Sequence, residues 1–528
     1  MEKKRTEISE ESINNLIANT GNHIRLHGQT IETIVSLYNL CNSRLKDSQM
    51  ADNEHLLKFK ALLEVILTYS FAEIELSALF RADLIVRDDT LYRRTVLLQS
   101  FRVISESTKA LFGFGKDKKN AFWNKLVTLF DLSQYATEVD EIRVGVKSLS
   151  AGVINKGNRD IASHYSWDAV SVADTYCSIK DEDLICQNLN KYGYVIERVS
   201  KISDMLLCSF LNSIEHLQNN LTDTAAVCPN LAKSIPTELV WKFEKPLFKP
   251  NLVNVIKSSY KYNTRQLEEC VGKCRGYQRL AALDEMTGIT IKDSEVFLCY
   301  SKIMNSVGLL LFMMNDALAA AVACADSVSF WESRINLKRL YVSAYEALDK
   351  VVGFSDDSKD KCLFHLVNQI INDLPVSLKE QYKSLKKDTD TIVIKYGFNQ
   401  MNRRNSFVHY RSKKTIWLVR TYGELMTISI PDALCKVIEL KKLSTKILYF
   451  INSFSSSFAI LQEIKFKENV NQMFQPLRLV VEKCPNKESK EIVLKMLEDF
   501  QKNIVNLSPV TNKTGNNGEK HNIIWKKR

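Results

Sequence analysis

"GFGKDKKNAFWNKL", residues 113–126, aligns without gaps to "GFSDDSKDKCLFHL", residues 353–366. In both, a helix is expected to end at Gly-Phe, a charged turn follows, and an amphipathic helix begins. Upstream of each block lies an apolar helical pattern, "YRRTVLLQSFRVISESTKALF" in one half and "LKRLYVSAYEALDKVV" in the other. Downstream of each block comes a short segment with extended character, "DTYCSIKDED" and "TYGELMTISIP", and then a long helical pattern. The closing patterns are "NKYGYVIERVSKISDMLLCSFLNSI" and "DALCKVIELKKLSTKILYFINSF". The same order of features over about 150 residues reads as a diverged tandem duplication, and an internal repeat decides architecture ahead of any local assignment.

Composition agrees with a helical reading. Glycine (17) and proline (9) are scarce in 528 residues, which disfavours a turn-rich β architecture. No proline precedes Pro229, and then Pro229, Pro236, Pro246 and Pro250 fall close together. Proline removes a backbone donor and restrains the residue before it, so this cluster marks a connector. The expected fold is mainly α: two tandem helical bundles related by duplication, with helical N- and C-terminal extensions. The boundaries are residues 1–55 for an N-terminal helical segment, 56–217 for repeat 1 and 218–290 for the connector. Repeat 2 follows at 291–460, then a helical segment at 461–507 and a basic tail at 508–528, read as disordered. In the N-terminal segment Leu16, Ile17, Ile24, Ile31, Ile34, Val35 and Tyr38 are spaced for one packing face.

The remaining composition narrows the class. Net charge is +11 with a pI near 8.9, compatible with a polyanionic partner. Twelve cysteines lie scattered, and the pair Cys270 and Cys274 has no second pair to complete a tetrahedral metal site. They read as buried thiols of a reducing compartment. The charged N-terminus lacks a signal-peptide core. The apolar run from Gly308, "GLLLFMMNDALAAAVACA", is broken by Asn315 and Asp316 and reads as a buried helix rather than a membrane span. A soluble, cytoplasmic protein is expected. No P-loop, HExxH or clustered acidic site occurs, so neither a metal nor a cofactor is expected in its chemistry.

Each repeat carries one further shared frame: "NRDIASHY" at 158–165 and "RRNSFVHY" at 403–410. The chain has only eight histidines, and two of them stand here, each five residues after an arginine and followed by tyrosine. On a helix, residues four apart share a face, so Asp160 underlies His164 and Asn405 underlies His409. The Asp or Asn oxygen can orient the imidazole, leaving its other nitrogen free for proton transfer. Arg159 and Arg404 lie one residue earlier, where a planar guanidinium can grip a phosphate. An imidazole beside a phosphate-binding arginine suits cleavage of RNA by its own 2′-hydroxyl, which needs acid–base help and charge stabilisation but no metal. In-line attack needs a base and an acid on opposite sides, and each repeat offers one histidine. Two frames facing each other would supply both.

These frames resemble the Arg-polar-x3-His signature of the HEPN superfamily (higher eukaryotes and prokaryotes nucleotide-binding), small helical bundles that include many metal-independent endoribonucleases. The resemblance implies Arg159, His164, Arg404 and His409 as the catalytic set, Asp160 and Asn405 as orienting residues, and activity arising where two domains meet. It further implies a toxin or abortive-infection effector in antiviral defence, silenced by an antitoxin or switched on by a phage component. For RNA contact the residues to weigh are Arg403, Arg411, Lys413, Lys414 and Lys156, each of which would otherwise sit on a solvated helix face. Tyr165 and Tyr410 either stack a base or pack in the bundle. Homo-oligomerisation is allowed by this scheme but not required. The rival expectation is a catalytically silent member that binds RNA or nucleotide, or serves as a scaffold with a partner.

Overall fold

The computed structural model describes residues 9–46, 53–85, 89–113, 119–152, 168–178, 182–220, 250–287, 295–397, 400–410, 416–483 and 486–506. The described residues form helices and short turns, with no β-strand among them. The mainly α expectation therefore holds. The first frame (Lys156, Arg159, Asp160, His164), together with Arg411, Lys413, Lys414 and the basic tail, lies outside the described residues.

Helix α1 (Glu10–Leu45) leads into α2 (Glu54–Ile85), α3 (Thr90–Phe112), α4 (Phe122–Leu129) and α5 (Ala136–Gly152). Then come α6 (Ala169–Ser178) and α7 (Glu182–Asn220). The second run opens with α8 (Pro250–Thr287), α9 (Glu295–Ala325), α10 (Phe330–Val352), the single turn α11 (Asp356–Lys359), α12 (Leu363–Ile370) and α13 (Val376–Tyr396). It closes with α14 (Met401–Val408), α15 (Leu418–Thr427), α16 (Ile430–Glu482) and α17 (Lys487–Asn506). Lengths recur along the two runs: α3 and α10 both have 23 residues, α4 and α12 both 8, α6 and α15 both 10. Packing recurs as well. α2 lies against α1, α3 and α4, and α9 lies against α8, α10 and α12.

Both 23-residue helices end the same way. Gly113 (φ 67°) caps α3 by donating to the Lys109 carbonyl, and Gly353 (φ 76°) caps α10 by donating to the Asp349 carbonyl. A positive φ strains any side chain, so glycine is the residue that stops these helices at low cost. At Gly353 an added Cβ would also come within 2.9 Å of Lys359 Cα.

The chain divides into two units, Met1–Ile370 with Asp390–Lys441, and Ile371–Thr389 with Lys442–Arg528. The first has α9 at its centre, where Leu309 to Met314 and Ala317 to Ala321 are almost inaccessible. Cys299–Ala325 is long and apolar enough to cross a membrane, but its apolar window is wholly buried inside the protein. In the second unit Tyr382 packs on Phe450 with ring centroids 5.8 Å apart, and Lys446 pairs with Asp388. On α1 the predicted face holds for Ile24, Ile31, Ile34, Val35 and Tyr38, whereas Leu16 is exposed.

One local expectation is corrected. Residues 174–178 and 421–427 of the segments after the two frames lie in helices α6 and α15, not in extended chain, while 179–181 lie outside the described residues. Ala169, Val170, Val172, Ala173 and Tyr176 in α6, and Leu418, Thr421 and Leu425 in α15, are buried at helical spacing. Burying that face overrides the β-leaning propensity of their threonines, tyrosines and valines.

Candidate functional site

The second frame is carried by α14 and the turn that follows it. The helix packs on α10 and α15, which holds the frame inside the first unit. His409 does not lie within the helix but ends it. Its backbone is extended (φ −102°, ψ 134°) and its N–H donates to the Asn405 carbonyl at 2.9 Å. The turn sends the next residue inward. Tyr410 is buried and donates its hydroxyl to Glu75 Oε1 at 2.9 Å, so this tyrosine packs in the bundle rather than awaiting a base. Burial pushes the Tyr410 hydroxyl far above its ordinary range, which keeps it a neutral donor.

Glu75, from α2, gathers a buried ionic cluster around that tyrosine. Lys338 of α10 ion-pairs with it, Arg102 of α3 comes within 3.7 Å, and the Lys338 ammonium lies 5.1 Å from the Tyr410 ring centroid. Burial lowers the pKa of both Lys338 and Arg102, while the Glu75 charge pulls each back up. Burying such a cluster costs desolvation, which the mutual pairing of its charges offsets.

Anchored in this way, the His409 imidazole stays about a quarter exposed, and its Nδ1 meets Glu106 Oε2 at 3.0 Å. When Glu106 is ionised its carboxylate accepts the hydrogen bond, and Nδ1–H is the donor. Trp417 flanks the ring, with centroids 6.2 Å apart. Glu106 is buried on α3, in the half of the chain opposite to the frame it serves.

Arg404 is placed differently from the expectation of a phosphate grip. Only 7% exposed, it donates from Nε (2.8 Å) and Nη2 to Glu346 Oε1 on α10, and from Nη1 to Asn405 Oδ1 at 3.1 Å. Burial raises the Glu346 pKa, and the guanidinium opposes that shift by favouring the carboxylate. The Asn405 side chain thus supports Arg404, and its backbone carbonyl holds His409. Arg403 remains partly exposed, 3.6 Å from Glu424 and over the Tyr341 ring.

Three acids that the frame did not point to build this site: Glu75, Glu106 and Glu346. Glu106 and Glu346 occupy the same place relative to the terminal glycines of α3 and α10. Carrying the ungapped Gly-Phe alignment upstream sets one on the other, so a signal for them was present. Each then touches a different member of one frame: Glu346 holds the arginine, Glu106 the histidine. No family model matches the chain, and neither a curated protein nor a solved structure matches it.

Proposed function

We propose that the protein is a metal-independent endoribonuclease built from two HEPN-like repeats in one chain, acting as an antiviral or toxin-type effector. The observation that carries this reading is the Glu106–His409 pair. A histidine of the second frame is paired through Nδ1 with a carboxylate from the first half. The matched helix order of the two runs supports duplication, and equivalent glutamates on α3 and α10 support two related half-sites. By that equivalence Glu346 is the counterpart that would serve His164, and Glu106 the counterpart that would serve Arg159.

In this reaction one imidazole takes the 2′-hydroxyl proton, and the 2′-oxygen attacks phosphorus. The bond to the 5′-oxygen breaks as the opposing imidazole protonates it, leaving a 2′,3′-cyclic phosphate and a 5′-hydroxyl. The arginines would meet the charge that develops on the phosphoryl oxygens.

One observation favours a silent, RNA-binding or scaffold form: Arg404 is buried on Glu346, so gripping a phosphate requires it to exchange that partner. Incubating purified protein with RNA in EDTA separates the readings. Cleavage to cyclic-phosphate ends, lost in His164→Ala and in His409→Ala, is the expected result. RNA bound but uncut, or cleavage undiminished in both variants, rejects the composite nuclease.

A further inference from the structure

His23 and His27 stand four residues apart on α1 and therefore on one face. Their Nε2 atoms are 3.1 Å apart, with ring centroids at 4.3 Å and planes inclined by 61°. Across the α1–α2 contact, Glu73 brings a carboxylate oxygen to the same point, so that one ligand atom from each of the three lies within 4.8 Å of the others. Two imidazole nitrogens bound tetrahedrally to one zinc ion sit about 3.3 Å apart, given Zn–N bonds of about 2.0–2.1 Å. The observed spacing suits a shared ion as well as it suits a shared proton.

We propose that His23, His27 and Glu73 bind a divalent transition-metal ion of the zinc type, at a site separate from the Arg-His frames. Two nitrogens and one oxygen form a borderline donor set, suited to Zn²⁺, Co²⁺ or Ni²⁺ and poorly suited to Mg²⁺ or Ca²⁺, which prefer oxygen. The outer nitrogen of His23 is already held, with Nδ1 3.0 Å from Ser77 Oγ, the kind of second partner that fixes a ligating ring. Burial depresses the His27 pKa to about 4, so its ring is neutral and able to ligate near pH 7. The Glu73 carboxyl is pushed up to about 7 by burial, and a bound cation would favour its charged form. His23 is exposed, which leaves a fourth position open to water. The ion would clip α1 to α2 and stabilise the folded chain by mass action. None of this depends on the nuclease reading, since no frame residue is used.

The test uses the full chain, stripped with EDTA, exchanged into chelator-free buffer and titrated with Co²⁺ and Zn²⁺ by calorimetry and visible absorption. One equivalent is expected to bind, with tetrahedral-type Co²⁺ bands and a rise in melting temperature on adding Zn²⁺. His23→Ala and Glu73→Gln should each lose that equivalent while keeping the wild-type circular dichroism spectrum. Ser77→Ala should weaken binding about tenfold, as expected for loss of an outer partner. His365→Ala, on α12, should bind as wild type does. No binding by the stripped chain overturns the site, as does binding retained in both His23→Ala and Glu73→Gln, or lost equally in His365→Ala.

Discussion

A carboxylate behind a catalytic imidazole acts through charge as well as geometry, and Glu106→Gln separates the two. Glutamine keeps an oxygen for the His409 Nδ1–H but removes the negative charge that would offset an imidazolium. RNA cleavage should fall by about 10²–10⁴-fold while the melting temperature changes little. A variant that cuts at the wild-type rate would show that His409 does not work through Glu106. Arg404→Ala should behave in the opposite way. It strands Glu346, buried and unpaired, at a cost of about 3–5 kcal/mol in stability, read as a lowered denaturation midpoint. Adding Glu346→Gln removes the stranded charge and should recover most of that loss. If the double variant folds well and still cannot cut, the Arg404 charge serves the substrate; if it cuts, the arginine serves the fold. The frame places Arg404 and His409 together because both lie within one short segment. The upstream alignment marks Glu106 as the partner of Glu346 in sequence, but not the histidine it touches 303 residues away. Only the packing of α3 beside the frame unites them.

Helices were legible from sequence wherever one apolar face persists, as on α1, α3 and α10. The reading failed where helices are short. In α15 a handful of residues mixes threonine, tyrosine and leucine, and buried Leu418, Thr421 and Leu425 decide the outcome only once their neighbours are present. Helix α9 shows what sequence reads well and what it leaves out. Its apolar run marked a buried helix, and Asp316 argued against a membrane span. The state of that acid emerges only from its surroundings: Gln99 Nε2 at 3.4 Å, the Tyr176 hydroxyl at 3.5 Å, and complete burial, which pushes its pKa to about 7. An unfolded aspartate titrates near 3.9, so between about pH 4 and pH 7 the folded chain holds a proton that the unfolded chain releases. The stabilising contribution is therefore full below about pH 4 and is lost as pH rises through 7. Thermal denaturation from pH 5 to pH 8 should show wild type losing on the order of a few kcal/mol relative to Asp316→Asn. Parallel pH profiles for the two proteins would mean that Asp316 is ionised throughout.

Two frames in a single chain set the largest-scale prediction. A duplicated protein needs no second copy to bring two histidines to one cleft, whereas a protein with one frame must dimerise. Mixing inactive variants distinguishes the cases. His164→Ala and His409→Ala should each abolish cleavage alone. If the catalytic pair forms within one chain, no mixture of the two restores it, because every molecule lacks one member. If the pair forms across a two-fold dimer, random exchange gives half heterodimers, each with one of its two sites intact, and about a quarter of wild-type activity returns. Chain exchange must be allowed to run, by mild denaturation and refolding of the mixture, so that persistent homodimers cannot mimic the intramolecular result. On the proposed equivalence of Glu106 and Glu346, each half would contribute the acid that orients the other half's histidine. Glu106→Gln should accordingly weaken the same site that His409→Ala destroys. Paired with His164→Ala it should likewise fail to complement, because both changes would fall within a single shared cleft.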